Sequence, residues 1–150
     1  MGSAVYHGSD SALFFTCSLI EQIGRMQKLE RSEVVRALGK KTIEAILEYA
    51  DVLHCEPIAK VADDYIGLCS IPSGTFDNVA RCKYTVPDVW TIGKVYSRLI
   101  TDVQKSGLVD TLMDVYTSWL SDDIQNYNSD LYYQPRDYLA VCWDEGKIVP

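Results

Sequence analysis

The chain has 150 residues, 47% of them hydrophobic, and a net charge of −7 from 21 acidic and 14 basic side chains. Such a composition suits one packed domain, or two small modules sharing a core, and excludes a disordered chain. The acidity repels a polyanion, so direct nucleic-acid binding is not expected of it.

The pattern is helical nearly throughout. Ser9, Asp10 and Ser11 offer N-caps to a first helix of about residues 11 to 28. Its Leu13, Cys17, Ile20, Ile23 and Met26 recur at steps of three and four, which gives one buried stripe. Ser32 can cap a short second helix around Val34-Val35-Arg36-Ala37-Leu38, which ends at Gly39, a residue free to take positive φ. A third helix, about 41 to 54, turns Ile43, Ile46, Leu47, Ala50 and Leu53 inward. Pro57 suits the first turn of a fourth, which carries Ile58, Val61, Ala62, Tyr65 and Ile66.

The period then fails. Ser70-Ile71-Pro72-Ser73-Gly74 is a turn cluster, and 71 to 87 reads as an irregular connector in which Val79 to Val86 could form a short strand. Asp88 can cap a strong stripe of Val89, Ile92, Val95, Tyr96, Leu99, Ile100 and Val103 that Ser106-Gly107 stops. Leu108, Leu112, Val115, Tyr116, Trp119 and Leu120 predict one further helix running towards Tyr127. Pro135 can start a last helix with Tyr138, Leu139, Cys142 and Trp143, ending at Gly146. The expected fold is therefore all-α: about seven helices in two small bundles, 1–70 and 88–150, packed as one compact unit around the connector. Stripes of this kind offset chain entropy only if they share a core.

Apolar runs such as Ala12-Leu13-Phe14-Phe15 are too short to span a bilayer. The N-terminus also lacks the basic and apolar regions of a signal peptide, so the expected location is the cytoplasm. The densest basic group, Arg36 with Lys40 and Lys41, is surrounded by Glu30, Glu33 and Glu44. Five cysteines (17, 55, 69, 82 and 142) include no C-x-x-C pair, and reduced thiols with no metal or other cofactor are expected.

Two stretches resemble known families. In residues of about 12 to 68, the quoted features are Leu13-Phe14-Phe15, Cys17, Ile20-Glu21, Ser32-Glu33-Val34, Tyr49-x-Asp51-Val52-Leu53-His54 and Val61-x-Asp63-Asp64-x-Ile66. This half resembles a family of small bacterial helical proteins, often encoded beside an ADP-ribosyltransferase-like toxin. Residues of about 86 to 146 are similar to a second small bacterial protein. The matching features are Val86-Pro87-x-Val89-Trp90-x-Ile92-Gly93-Lys94-Val95-Tyr96-x-Arg98-Leu99-Ile100 and Tyr132-Tyr133-x-x-Arg136-x-Tyr138-Leu139. The resemblances imply two cooperating partners fused in one chain. Tyr6-His7-Gly8-Ser9 resembles the start of some toxins of that kind, although a β-rich NAD cleft would have to follow and helices follow instead.

The candidate site residues fall in two groups. Asp51, His54, Asp63 and Asp64 lie on the first half, where His54 stands near a helix C-terminus that favours a protonated imidazole. Tyr132, Tyr133 and Arg136 sit around a break in the second half, an arrangement that favours a protein interface. The leading reading is a non-catalytic protein-interaction module, antitoxin-like or accessory in a toxin–antitoxin-type locus, whose partner is a more basic toxin. The alternative is a small enzyme using His54 with a neighbouring carboxylate, with or without a metal. A third reading is a homo-oligomeric structural protein.

Overall fold

The computed structural model describes residues 10–105 and 107–150. Tyr6-His7-Gly8-Ser9 and Ser106 lie outside the described residues. Helix α1 (Asp10–Gln27) leads through α2 (Arg31–Leu38) into α3 (Lys40–Leu53) and α4 (Ile58–Leu68). After α4 comes a one-turn α5 (Asn78–Arg81), then α6 (Val89–Val103), α7 (Leu108–Tyr116), α8 (Trp119–Ile124), a single 3₁₀ turn (Leu131–Tyr133) and α9 (Arg136–Glu145). No strand occurs among the described residues, so the fold is all-α, as the periodicity predicts. None of their helices is long and apolar enough to cross a membrane.

Local signals explain most boundaries. The Asp88 carboxylate accepts from Thr91 N–H at 2.7 Å and so satisfies one of the orphan donors of α6. Gly39, at φ 81°, lets α2 end and α3 begin without a connecting loop. Gly146, at φ 74°, closes α9 in the left-handed region.

Three sequence expectations need correction. The stretch 108–127 is not one helix. α7 ends at Tyr116, and the Ser118 hydroxyl then accepts from Ser121 N–H at 3.3 Å to start α8, so a local cap overrides a continuous stripe. The connector carries α5 rather than a strand, because Asp77 accepts from Ala80 N–H at 2.9 Å and caps one helical turn. Finally, α2 begins at Arg31, ahead of Ser32, and has no side-chain cap.

One helix organises the whole. α1 packs most extensively against α6, and also against α2, α3 and α4. It is therefore buried on most of its circumference, well beyond its predicted stripe: Ala12, Phe15, Leu19, Thr16, Ser18 and Glu21 are all inside. Only Met26 of that stripe is exposed. The α1–α6 crossing is close enough that a Cβ on Gly93 would lie 2.8 Å from the Ser18 backbone. Beside it Tyr96 stacks on Tyr116 at 4.1 Å and shares a 2.7 Å hydrogen bond with Ser121. The buried apolar residues form a single cluster drawn from both halves of the chain.

Candidate functional site

The strongest polar feature is interior. Arg31 is fully buried, and its guanidinium donates to Glu21 through Nε at 2.9 Å and Nη2 at 3.0 Å. It also donates to Leu29 carbonyl at 2.6 Å, Asn78 Oδ1 at 3.2 Å and Tyr127 hydroxyl at 3.1 Å. Arg25 donates to Glu21 at 3.1 Å and to Pro87 carbonyl at 2.6 Å, and the Tyr127 hydroxyl donates to Glu21 as well. Asn78 and Gln125 close the shell: Asn78 donates to Gln125 carbonyl at 3.0 Å, and Gln125 Oε1 accepts from Arg31 N–H at 2.6 Å. Burial pushes the Glu21 carboxyl up, but Arg31 and Arg25 more than reverse this and hold it below its ordinary value. Among the described residues no buried side-chain polar atom lacks a partner. Glu21, Arg31, Asn78, Gln125 and Tyr127 are buried and mutually satisfied, with Arg25 at the edge, an arrangement that suits a structural role.

The sequence-predicted residues sit outside. His54 follows the last residue of α3, and its backbone N–H donates to Ala50 carbonyl at 2.9 Å. His54 and Asp51 line one open cleft of about 570 Å³, together with Ser11, Ala12, Phe14 and Phe15 of α1, Ala50 of α3 and Trp90 of α6. Phe14 and Trp90 meet with ring centroids 5.5 Å apart, tilted by 48°. The walls are thus aromatic and the rim carries an acid and an imidazole. The contact that His54 Nδ1 makes is 3.7 Å to Cys55 Sγ, and no hydrogen bond joins it to Asp51 among the described residues.

Asp63 and Asp64 are exposed on α4, and neither lines the His54 cleft. Asp64 pairs with Lys60 on its own helix at 3.1 Å, and Lys60 also reaches Glu56 at 3.5 Å. No group of three His, Cys, Asp or Glu side chains converges as a metal site among the described residues. The five cysteines are free thiols, and burial pushes the Cys17 thiol up to about 12 against a smaller opposing pull from Tyr116. Such a thiol is inert at neutral pH.

At the other end, Tyr132 and Tyr133 meet edge to face at 5.0 Å, with Tyr133 exposed. Arg136 grips Asp102 of α6 with two bonds, at 2.8 and 3.2 Å. Arg136 also lines a second cavity of about 300 Å³, which shares Ser11 and Phe14 with the His54 cleft. A third, of about 150 Å³, adds Tyr132 and shares Lys94, Arg98 and Arg136 with the second. The second cavity therefore borders each of the other two, sharing Ser11 and Phe14 with the cleft of Asp51 and His54 and three cations with the cavity of Tyr132. Asp63, Asp64 and Tyr133 line none of these three cavities.

Sequence reasoning missed Phe14 and Trp90 as walls, and Lys94 and Arg98 as the floor of the basic end. The i, i+4 spacing of Lys94 and Arg98, opposite Ile92, Tyr96 and Leu99, was the available signal for that pair. No family model matches the chain, and no curated protein or solved structure matches it significantly, so the family likenesses of the two halves rest on their motifs alone.

Proposed function

We infer that the chain is a non-catalytic protein-interaction module, antitoxin-like or accessory in a bacterial toxin–antitoxin-type locus, that acts by covering a more basic partner. The observation that carries this reading is the aromatic-walled cleft of Phe14, Phe15 and Trp90, edged by Asp51 and His54. Trp90 is 40% exposed although it is a large ring, and Tyr49 and Val52 of the adjoining helix stand out at 56% and 68%. Large rings that keep solvent exposure beside a carboxylate provide what an interface anchor uses: apolar area with little rotamer entropy to lose, plus a charge at the rim. The partner chemistry that fits is an apolar side chain flanked by Lys or Arg. Asp63, Asp64 and Glu56 extend the acidic surface along α4 and would add mainly to the rate of encounter.

The test is co-expression with the product of the neighbouring gene, followed by pull-down and a growth-rescue assay. Wild type should co-purify and rescue. Trp90→Ala should weaken the complex by about 2 kcal/mol or more, the size typical of an anchor residue, and Asp51→Lys should slow association in a salt-dependent manner. Retention of full binding and rescue by the double variant would remove this cleft from the interface.

A further inference from the structure

The two cavities beside Arg136 differ in charge from the acid-edged cleft of Asp51 and His54. Lys94 and Arg98 stand four residues apart on the solvent face of α6, about 6 Å from each other at Cβ. Both are exposed, and neither makes an ion pair among the described residues. Like charges at that spacing destabilise a helix. Arg136, the first residue of α9, brings a third cation to the same two cavities. Asp102 stands four residues after Arg98, at pairing distance along the helix, but it is bound by Arg136 instead.

The lining divides usefully. Lys94, Arg98 and Arg136 are the only ionisable cations or carboxylates among the side chains lining the smaller cavity, and its remaining wall is mixed, with Val95, Leu131, Pro135 and Leu139 beside Tyr132, Thr91 and Gln134. The larger cavity keeps the same three cations and adds one acid, Asp10. The hydroxyls of Ser97 and Thr101 in that cavity donate to helix carbonyls, which leaves the ammonium and guanidinium groups as its charged donors, beside the Ser11 hydroxyl. Two unpaired cations and one half-neutralised one, against an apolar and phenolic wall, match an anion of at least two charges on a small organic body.

We propose that these two adjoining cavities bind a small phosphate monoester. Lys94 and Arg98 hold the phosphate oxygens, Arg136 closes the third side while it remains on Asp102, and the body of the ligand lies against Val95, Leu139 and Tyr132. Arg98 is the principal contact, because a guanidinium can meet two phosphate oxygens at once. The site borders the aromatic cleft that carries the protein-interaction reading and shares Ser11 and Phe14 with it, but its three cations lie outside that cleft.

Titration calorimetry of the full chain at fixed ionic strength, with phenyl phosphate and inorganic phosphate as probes, tests this. Saturable one-to-one binding is expected, with phenyl phosphate the tighter ligand. Arg98→Gln and Lys94→Gln should each weaken it about tenfold, the worth of one charge-assisted bond. Asp102→Asn releases Arg136 and removes a negative charge, so it should tighten binding. Lys41→Gln, which removes an exposed cation elsewhere, should leave it unchanged. Unaltered unfolding midpoints in Arg98→Gln and Lys94→Gln would attribute their losses to the site. Absence of saturable binding, or equal losses in Lys41→Gln, would overturn the proposal, and equal affinity for the two probes would overturn the organic-ligand assignment.

Discussion

At the scale of single residues, Glu21 and Arg31 dominate. Removing one member of a buried pair strands the other, so Glu21→Gln should cost about 3–5 kcal/mol in urea unfolding. The paired change to Leu and Met should recover much of that loss, because it removes the desolvation cost together with the bond. The pH dependence has a definite sign. The folded carboxyl sits below its ordinary value of 4.5, so its contribution is fully present above that pH. It is lost as pH falls below 4.5 towards the folded value, and Glu21→Gln should flatten that acid limb in denaturation curves taken from pH 6 to pH 2. The sequence did not reveal this pair. Glu21 occurs in a motif of the first helix, but nothing local distinguishes a buried acid from a solvated one. Its burial follows from α1 being enclosed by α2, α3, α4 and α6, which is tertiary information. His54, by contrast, was legible as a helix end because the apolar period of α3 stops there.

At the scale of elements, the α1–α6 crossing is the tightest joint. Gly93→Ala would put a methyl within 2.8 Å of the Ser18 backbone, and backbone cannot move aside as a flexible side chain can. We expect a loss of about 1–3 kcal/mol, the usual range for overpacking, seen as a lower thermal midpoint. Gly67, where an added Cβ meets nothing within 4 Å, is the matched control: Gly67→Ala should be neutral or stabilising, because alanine is the better helix former. Helix existence was readable from periodicity almost everywhere, since the apolar steps of three and four are long and regular in α1, α3 and α6. Breaks were harder to see. The stripe from Leu108 to Leu120 stays in phase across Thr117-Ser118, so a cap hydroxyl had to be weighed against continuous hydrophobicity, and the cap prevailed. The aromatic walls of the cleft were hidden for another reason: Phe14 and Trp90 lie 76 positions apart and meet only through the α1–α6 packing.

At the scale of the molecule, the two resemblances divide the chain where the packing does not. α1 belongs to the first half by sequence and packs most extensively against α6 of the second. Tyr116 of the second half donates to Cys17 carbonyl of the first at 3.4 Å, and the Arg31 network draws on Asn78, Gln125 and Tyr127. The whole chain should therefore unfold in one step. Near-ultraviolet dichroism, which reports the tyrosine stack, and far-ultraviolet dichroism, which reports helix, should give coincident transitions in urea. Separate midpoints for the two signals would contradict a shared interior.

The buried guanidinium also fixes how the helices slide. Apolar stripes tolerate a shift of one helical turn, about 5.4 Å, because the next leucine or isoleucine takes the vacated place. Arg31 does not tolerate it. Its acceptors come from positions 21, 29, 78 and 127, with Gln125 holding its backbone, and a slipped arrangement would leave a cation in hydrocarbon with nothing to accept from it. The cluster acts as a key cut for a single alignment, and rival alignments of the same greasy surfaces are rejected by the charge they would strand.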